Sequence, residues 1–306
     1  MGRRIPQEKK LLSDIAIFDI AEEGKGVGRH EDLVLFIDKA IPGDIVDVEL
    51  QRKKKNFAEG KVTRILQESP YRITPFCSHF GVCGGCKWQH MSYEGQLKFK
   101  QQSVDNALSR IGKVDTTMLE DILPSDQTQY YRNKLEYTFS NKKWLTNLDE
   151  AVEHESLDAL GFHVPGRFDK ILAIDHCYLQ QDPSNSIRNK IGAFAQENGI
   201  SFYDLRAHEG ALRNLIIRTS STGEVMVIVV FAYPEEGQVA LLMDYIAATF
   251  PTLVSLLYII NQKLNDTIFD QEVLVYSGRD FIYEEMEGLK FKVGPKSFYQ
   301  TNSRQA

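Results

Sequence analysis

Short runs of alternating apolar and polar residues fill roughly the first seventy positions, and helical periodicity does not set in until after residue 90. Stretches 14–20 and 33–37 are rich in β-formers, 45–50 alternates, and 60–66 closes the set. Turns are expected at 23–28 and at Pro42-Gly43-Asp44. Several short strands at regular spacing predict a small barrel, and barrels of this size that bind oligonucleotides are OB-like. The run Arg52-Lys53-Lys54-Lys55, followed by Asn56-Phe57, is placed in the loop between the third and fourth of these strands. There its charges could reach phosphates and Phe57 could offer a stacking face.

Beyond residue 90 the pattern changes. Leu97, Val104, Leu108 and Ile111 recur at helical spacing, predicting a helix over 93–111 that Gly112 stops. Its other face carries Lys98, Lys100, Gln101, Gln102 and Arg110. Residues 130–139 alternate as a strand, with Arg132 and Lys134 on one face. Residues 141–158, with the acidic cluster Asp149, Glu150, Glu153, Glu155 and Asp158, read as a long surface loop. Strands at 160–163 and 170–174, a helix over 183–198, strands at 212–219 and 225–231, a helix over 238–250, a strand at 254–261 and a final hairpin over 281–293 complete the pattern. Strands that flank helices and return beside each other fit an α+β fold.

Gly24-x-Gly26-x-Gly28 has the look of a nucleotide-binding loop but the wrong context. Such a loop opens a helix whose N-terminus takes the anion, and here a strand follows. A mobile hairpin turn is the expectation.

Composition narrows the class. With 306 residues, 42% hydrophobic and 25% charged, the chain has room for two or three domains of ordinary globular character. No apolar run is long enough to cross a bilayer, and no signal-peptide pattern opens the chain, so a cytoplasmic protein is expected. The net charge of −6 hides an asymmetry: residues 51–144 carry 16 Lys+Arg against 9 Asp+Glu, leaving −13 for the remainder. A basic segment in an acidic chain suggests a polyanion surface confined to one face.

The chemistry concentrates in the cysteines. Three of the four fall within ten residues, as Cys77-x5-Cys83-Gly-Gly-Cys86, and the fourth is Cys177. A tight turn with three thiolates, completed by a remote one, suits a tetrahedral soft metal or an iron–sulfur cluster, and spacing alone does not choose between them.

At Cys77-x5-Cys83-Gly-Gly-Cys86-Lys-Trp-Gln-His90 the chain resembles the RNA uracil-C5 methyltransferases, and among them the 23S rRNA type that carries a [4Fe–4S] cluster. Further pieces resemble that family in order. Residues 11–66 with Ile41-Pro-Gly43-Asp44 look like its TRAM domain, an OB-like RNA-binding barrel. Tyr131-Arg132-Asn-Lys134, Leu160-Gly-Phe before Asp175-His-Cys177, Leu212-Arg213-Asn-Leu-Ile-Ile-Arg218, and Phe298-Tyr-Gln300-Thr-Asn302 follow.

The resemblance implies an α+β protein with a TRAM barrel over 1–70 and a central domain bearing the cluster over 71–290. The start of a Rossmann-like methyltransferase domain falls at 291–306, and the rest of that domain is expected to be absent from these residues. It implies Cys77, Cys83, Cys86 and Cys177 as cluster ligands, Gln300 at S-adenosylmethionine, and Phe298 near an extruded base. Arg52, Lys53, Lys54, Lys55, Phe57, Arg132 and Lys134 join Phe298 as expected RNA contacts. In the family a cysteine adds to uracil C6 so that C5 attacks the methyl donor. All four thiols being assigned to the cluster, no catalytic residue is expected here, and this stretch alone is expected to be an inactive, monomeric portion of a longer enzyme. The alternatives are a tRNA uracil-5 methyltransferase and a four-cysteine zinc module in an RNA-binding adaptor without catalysis.

Overall fold

The computed structural model describes residues 10–21, 23–146 and 156–306. The chain divides into two compact units: residues 1–81 with 86–124, and residues 82–85 with 125–306. The division thus falls on both sides of residues 82–85, inside the cysteine turn, and again between 124 and 125.

The first unit holds a closed five-stranded barrel in the order β1-β2-β3-β5-β4: β1 (Leu11–Ile20), β2 (Gly26–His30), β3 (Leu33–Asp38), β4 (Ile45–Lys53) and β5 (Phe57–Gln67). Alternation delivers its core, since Ile15 and Ile17, Leu35 and Ile37, and Val46 and Val48 each point inward. Strand β2 escapes the sequence pattern because glycines are poor strand formers. Its glycines answer to packing instead. A Cβ on Gly24 would lie 2.7 Å from the Trp88 indole nitrogen, and Cβ atoms on Gly26 and Gly28 would meet Ala40 and Ile15 at 2.8 Å. Gly24 also takes φ +80° in the turn. The Gly-x-Gly-x-Gly run is therefore a seat for neighbouring side chains.

Asp44 pins the barrel to the segment that follows it. Its buried carboxylate accepts from the backbone of Ile41 (2.8 Å) and Ser69 (2.9 Å) and from Arg72 Nε (3.0 Å). Beyond it, α1 (Tyr93–Asn106) is capped by Ser92, whose hydroxyl accepts from Gly95 N at 3.2 Å. The expected helix face is corrected here. Val104 and Ile111 are exposed, and the buried positions are Gly95 and Phe99. Phe99 lies edge-on to Tyr71 with centroids 5.9 Å apart and joins Ile20, Ile41 and Met91 in a small apolar cluster. A π-helical turn over Ala107–Ile111 ends the helix.

The second unit is built on a seven-stranded sheet in the order β12-β11-β10-β9-β6-β7-β8. Its strands are β6 (Lys134–Ser140), β7 (Ala159–Val164), β8 (Arg167–Ala173), β9 (Leu212–Thr219), β10 (Val225–Phe231), β11 (Ser255–Ile260) and β12 (Leu274–Gly278). Strand β10 is buried on both faces, which explains its unbroken apolar run. One face meets Ile187 and Ile191 of α2 (Ser184–Glu197) and Leu242, Met243 and Ile246 of α3 (Gln238–Thr249). The other meets Ile282 and Val293 of the hairpin β13 (Ile282–Met286) and β14 (Leu289–Val293). Strands β10 and β11 are parallel, joined across α3. Strand β12 was not legible in the pattern, and residues 130–133 lie outside β6, contrary to the strand expected from 130 onward. Asp149, Glu150, Glu153 and Glu155 lie outside the described residues.

Replacing Asp44 with Ala leaves Arg72 beside an empty buried socket. Breaking a buried pair in this way costs about 3–5 kcal/mol, so the unfolding free energy of the barrel unit should fall by a corresponding amount, whereas Asp47→Ala, which loses a pair to the exposed Arg64, should lower it by about 1 kcal/mol or less.

Candidate functional site

None of the four cysteines is in a disulfide; Cys77, Cys83 and Cys86 are half-buried and Cys177 is buried. The second unit brings two of them into one apolar cluster, where Cys83 packs against the core that contains Cys177. The tip of the turn is seated by backbone. Gly84 N–H donates to the His163 carbonyl of β7 at 3.1 Å, and a Cβ on Gly84 would sit 2.6 Å from that oxygen. Only glycine fits that approach. Gly85 N–H faces Cys83 Sγ at 3.4 Å, the kind of amide donation that stabilises a thiolate. Cys177 is held by its backbone, whose N–H donates to Asn185 Oδ1 (2.8 Å) and whose carbonyl accepts from Asn185 Nδ2 (3.1 Å). Arg188, buried, braces Asn185 from behind at 2.9 Å.

Cys77 and Cys86 belong to the first unit. Cys77 N–H donates to the Gln89 side chain at 3.3 Å, and its carbonyl closes a turn with Phe80 N at 3.1 Å. Among the described residues no three His, Cys, Asp or Glu side chains are gathered as a ligand cluster. Thiolate sulfur is the donor type that soft metals and iron–sulfur clusters take, and Gly85 turns an amide toward one such sulfur.

His90, at the end of the same segment, is 5% exposed, and neither ring nitrogen has a hydrogen-bond partner. Burial, seconded by Arg72 and opposed by Asp44, lowers its pKa to about 4. Nothing in the spacing announced this burial.

The basic run of the barrel is fully presented. Arg52 and Lys53 end β4, and Lys54 and Lys55 make the turn into β5, all four exposed. Strand β2 raises the count by one, so this hairpin joins the fourth and fifth strands rather than the third and fourth. Phe57 opens β5 half-buried, edge-on to Phe36 with centroids 5.8 Å apart.

Phe298 is 87% exposed on a segment locked to the sheet. Arg218 on β9, itself buried, donates to the Gly294 carbonyl (3.1 Å) and the Ser297 carbonyl (2.6 Å). Asn133 donates through its backbone to the Thr301 carbonyl (2.8 Å) and through its side chain to the Gln300 carbonyl (2.7 Å) and Ser303 Oγ (2.7 Å). Gln300 is exposed, and its side chain is left to solvent while its carbonyl is engaged. Tyr299 turns inward against Phe291, and burial raises the pKa of its phenol. Lys134 pairs in register with Arg218, and its pKa is lowered, first by burial and then by Arg218. Arg218 and Asn133 both lie inside quoted motifs, but no role was legible for either, because their partners are 76 to 170 residues away.

Comparison with known proteins now bears on these features. Residues 14–63, inside the barrel, match the TRAM domain. The chain carries a TRAM domain. Over 292 residues it is 53% identical to an uncharacterized RNA methyltransferase of Bacteroides thetaiotaomicron, covering 94% of this chain and 64% of that protein. It is 52% identical to another of Porphyromonas gingivalis, covering 95% and 64%. A relative from Chlorobaculum tepidum, also named an uncharacterized RNA methyltransferase, is 34% identical over 99% of this chain. The chain therefore spans just under two thirds of the length of the relatives it matches. Its fold resembles that of the Pyrococcus abyssi tRNA (uracil-54, C5)-methyltransferase in complex with S-adenosyl-L-homocysteine, with a TM-score of 0.66, 24% identity, and coverage of 95% of this chain and 62% of that one. Among the described residues no helix is long and apolar enough to cross a membrane.

Two outcomes test the site's construction. Gly84→Ala must push the Cys83 loop off β7, a clash worth about 1–3 kcal/mol, whereas Gly85→Ala meets Cys83 Sγ only at 3.5 Å and should leave the unfolding midpoint near wild type. For His90, an unfolded-state pKa of 6.5 falling to about 4 in the fold means that the unfolded chain binds the extra proton. The stability it contributes is complete above pH 6.5 and is lost as pH falls toward 4, by at most about 3 kcal/mol. A His90→Leu variant should flatten that acid limb in a pH series of unfolding midpoints; parallel curves would contradict the assignment.

Proposed function

We propose that this chain is the RNA-recognition and thiol-site portion of an S-adenosylmethionine-dependent RNA methyltransferase that makes 5-methyluridine, with 23S rRNA as substrate. The observation that carries the reading is the coincidence of a TRAM barrel with similarity along nearly the whole chain to proteins named as RNA methyltransferases. The choice of uracil C5 rests on the cysteine turn and the Phe298-x-Gln300-x-Asn302 motif, supported by the fold likeness to a uracil-C5 enzyme. That neighbour acts on tRNA, which keeps tRNA as the second substrate reading.

In this proposal residues 1–70 form the RNA-binding barrel, 71–290 the central domain, and 291–306 the approach to the methyl-transfer centre, in a cytoplasmic monomer. Exposed Arg52, Lys53, Lys54 and Lys55 engage backbone phosphates, and Phe57 lends a stacking edge. Chemistry at C5 needs a single-stranded or extruded uridine, because the reacting carbon is closed off in a stacked duplex. Exposed Phe298 offers the face such a base would need, held in place by Arg218 and Asn133. Gln300 contacts S-adenosylmethionine, which supplies the methyl group when bound. The C6 nucleophile is assigned to none of the four cysteines here, because all four serve as ligands. Cys77, Cys83, Cys86 and Cys177 hold a [4Fe–4S] cluster that keeps the turn folded; methyl transfer to uracil requires no electron, so its role is structural.

Two measurements test this. Nucleoside mass spectrometry of 23S rRNA and tRNA from cells lacking the gene should show 5-methyluridine lost from rRNA; loss confined to tRNA would move the substrate, and no loss from either would overturn the activity. Protein purified without oxygen should carry about four irons and four acid-labile sulfides per chain. Zinc without sulfide would replace the cluster with the structural zinc alternative.

A further inference from the structure

Residues 130–134 carry three features that neither the barrel nor the packing of the sheet requires. The first is strain. Tyr130 has φ 55°, a left-handed conformation that costs a bulky aromatic residue energy and persists only when its surroundings enforce it. They do so here, because Tyr130 N–H donates to the Tyr178 carbonyl at 2.7 Å and Arg132 N–H to the Leu179 carbonyl at 2.8 Å.

The second is what the strain displays. Tyr130, His176 and Tyr178 form a mutually braced aromatic group, with centroids 6.1, 5.9 and 4.5 Å apart and the Tyr130 hydroxyl 2.9 Å from His176 Nε2. All three residues are half-buried.

The third is charge. Arg132 lies two residues on from Tyr130, with its Nε buried and lacking a hydrogen-bond partner. Lys134 lies beside Arg218 in register, and among the described residues neither Arg132 nor Lys134 takes part in an ion pair. Glu136 is a carboxylate that acts on Lys134 against the burial and Arg218. Gathering cations in half-buried positions costs free energy that an arriving anion offsets. Arg218 is spoken for by the Gly294 and Ser297 carbonyls, which leaves Arg132 and Lys134 for the ligand.

We propose that Arg132 and Lys134 bind a phosphodiester of single-stranded RNA and that the Tyr130–His176–Tyr178 group stacks on a base beside the one that meets Phe298. This would be a second aromatic station, holding the strand on the far side of the phosphate from Phe298, so that a nucleotide is gripped on both flanks. The inference rests on the RNA reading above and adds to it the residues that position the neighbouring nucleotide.

The test uses the full chain and two fluorescent probes, an oligouridylate and the matching oligomer without bases, titrated over a salt series by anisotropy. Arg132→Gln and Lys134→Gln should each weaken oligouridylate binding and lower the slope of log K against log salt by about 0.7. His176→Ala and Tyr178→Leu should weaken oligouridylate binding about 10-fold while leaving the base-free probe unchanged. Tyr130→Gly relieves the positive φ but removes the ring packed on His176 and Tyr178, so its affinity for oligouridylate should fall. Wild-type binding that all five variants leave intact in both affinity and salt slope would overturn the station and leave the RNA reading standing. A Tyr130→Gly variant that loses stability and keeps full affinity would show that the aromatic group is packing alone. If wild type fails to bind oligouridylate in a salt-dependent way, the RNA reading itself falls.

Discussion

The hydrogen bond from Gly84 N–H to the His163 carbonyl is the constraint on which the candidate thiol site depends. Residues 82–85 belong to the unit built on the seven-stranded sheet, while the residues on either side of them belong to the barrel unit. A four-residue excursion has little conformational freedom of its own, so one backbone bond at its tip settles where the Cys83 side chain goes. With Gly84 against β7, Cys83 reaches the wall that contains Cys177, and Gly85 turns its amide to the sulfur. A side chain at residue 84 would occupy the space of a backbone oxygen, which cannot rotate away. The paired glycines between the second and third cysteines thus do different work, one for approach and one for donation.

The same reliance on a few polar ties to backbone recurs at the other end of the second unit. Residues 294–303 have no regular structure, and a segment without its own ladder must find partners elsewhere. Arg218 and Asn133 provide them, from neighbouring strands or their approach, by grasping the carbonyls of residues 294, 297, 300 and 301, with Ser303 Oγ as the one side chain held. Grasping backbone leaves the side chains of Phe298 and Gln300 pointing to solvent, and Tyr299 anchors the segment inward between them. A loop held in this way presents chemistry from a rigid base, as positioning of a reactive base would require.

Much of this was legible in the chain. Periodicity found the barrel, the two long helices of the second unit and the buried strand β10, because each has a strong and uninterrupted apolar pattern. It missed β2, whose glycines carry no β signal and whose purpose, admitting Trp88, Ala40 and Ile15, depends on residues far along the chain. It chose the wrong face of α1, since the buried face is made by a glycine and a phenylalanine that pack on Tyr71 and Met91 rather than by the aliphatic residues of the repeat. The candidate site divided in the same manner. Cysteines and lysines announce themselves by type and spacing. The burial of His90, the strained Tyr130 and the grips of Arg218 and Asn133 arise only from tertiary neighbours, which no local pattern encodes.

The proposed RNA contacts are the β4–β5 hairpin and the surface around Tyr130 and Phe298. The most direct measurement is photocrosslinking of the chain to 23S rRNA fragments that contain 4-thiouridine, with the linked peptides mapped by mass spectrometry. The account predicts adducts in residues 52–57, 130–134, 176–178 and 298–300, suppressed by added salt. Adducts absent from all of these segments, or distributed evenly along the chain and indifferent to salt, would contradict it.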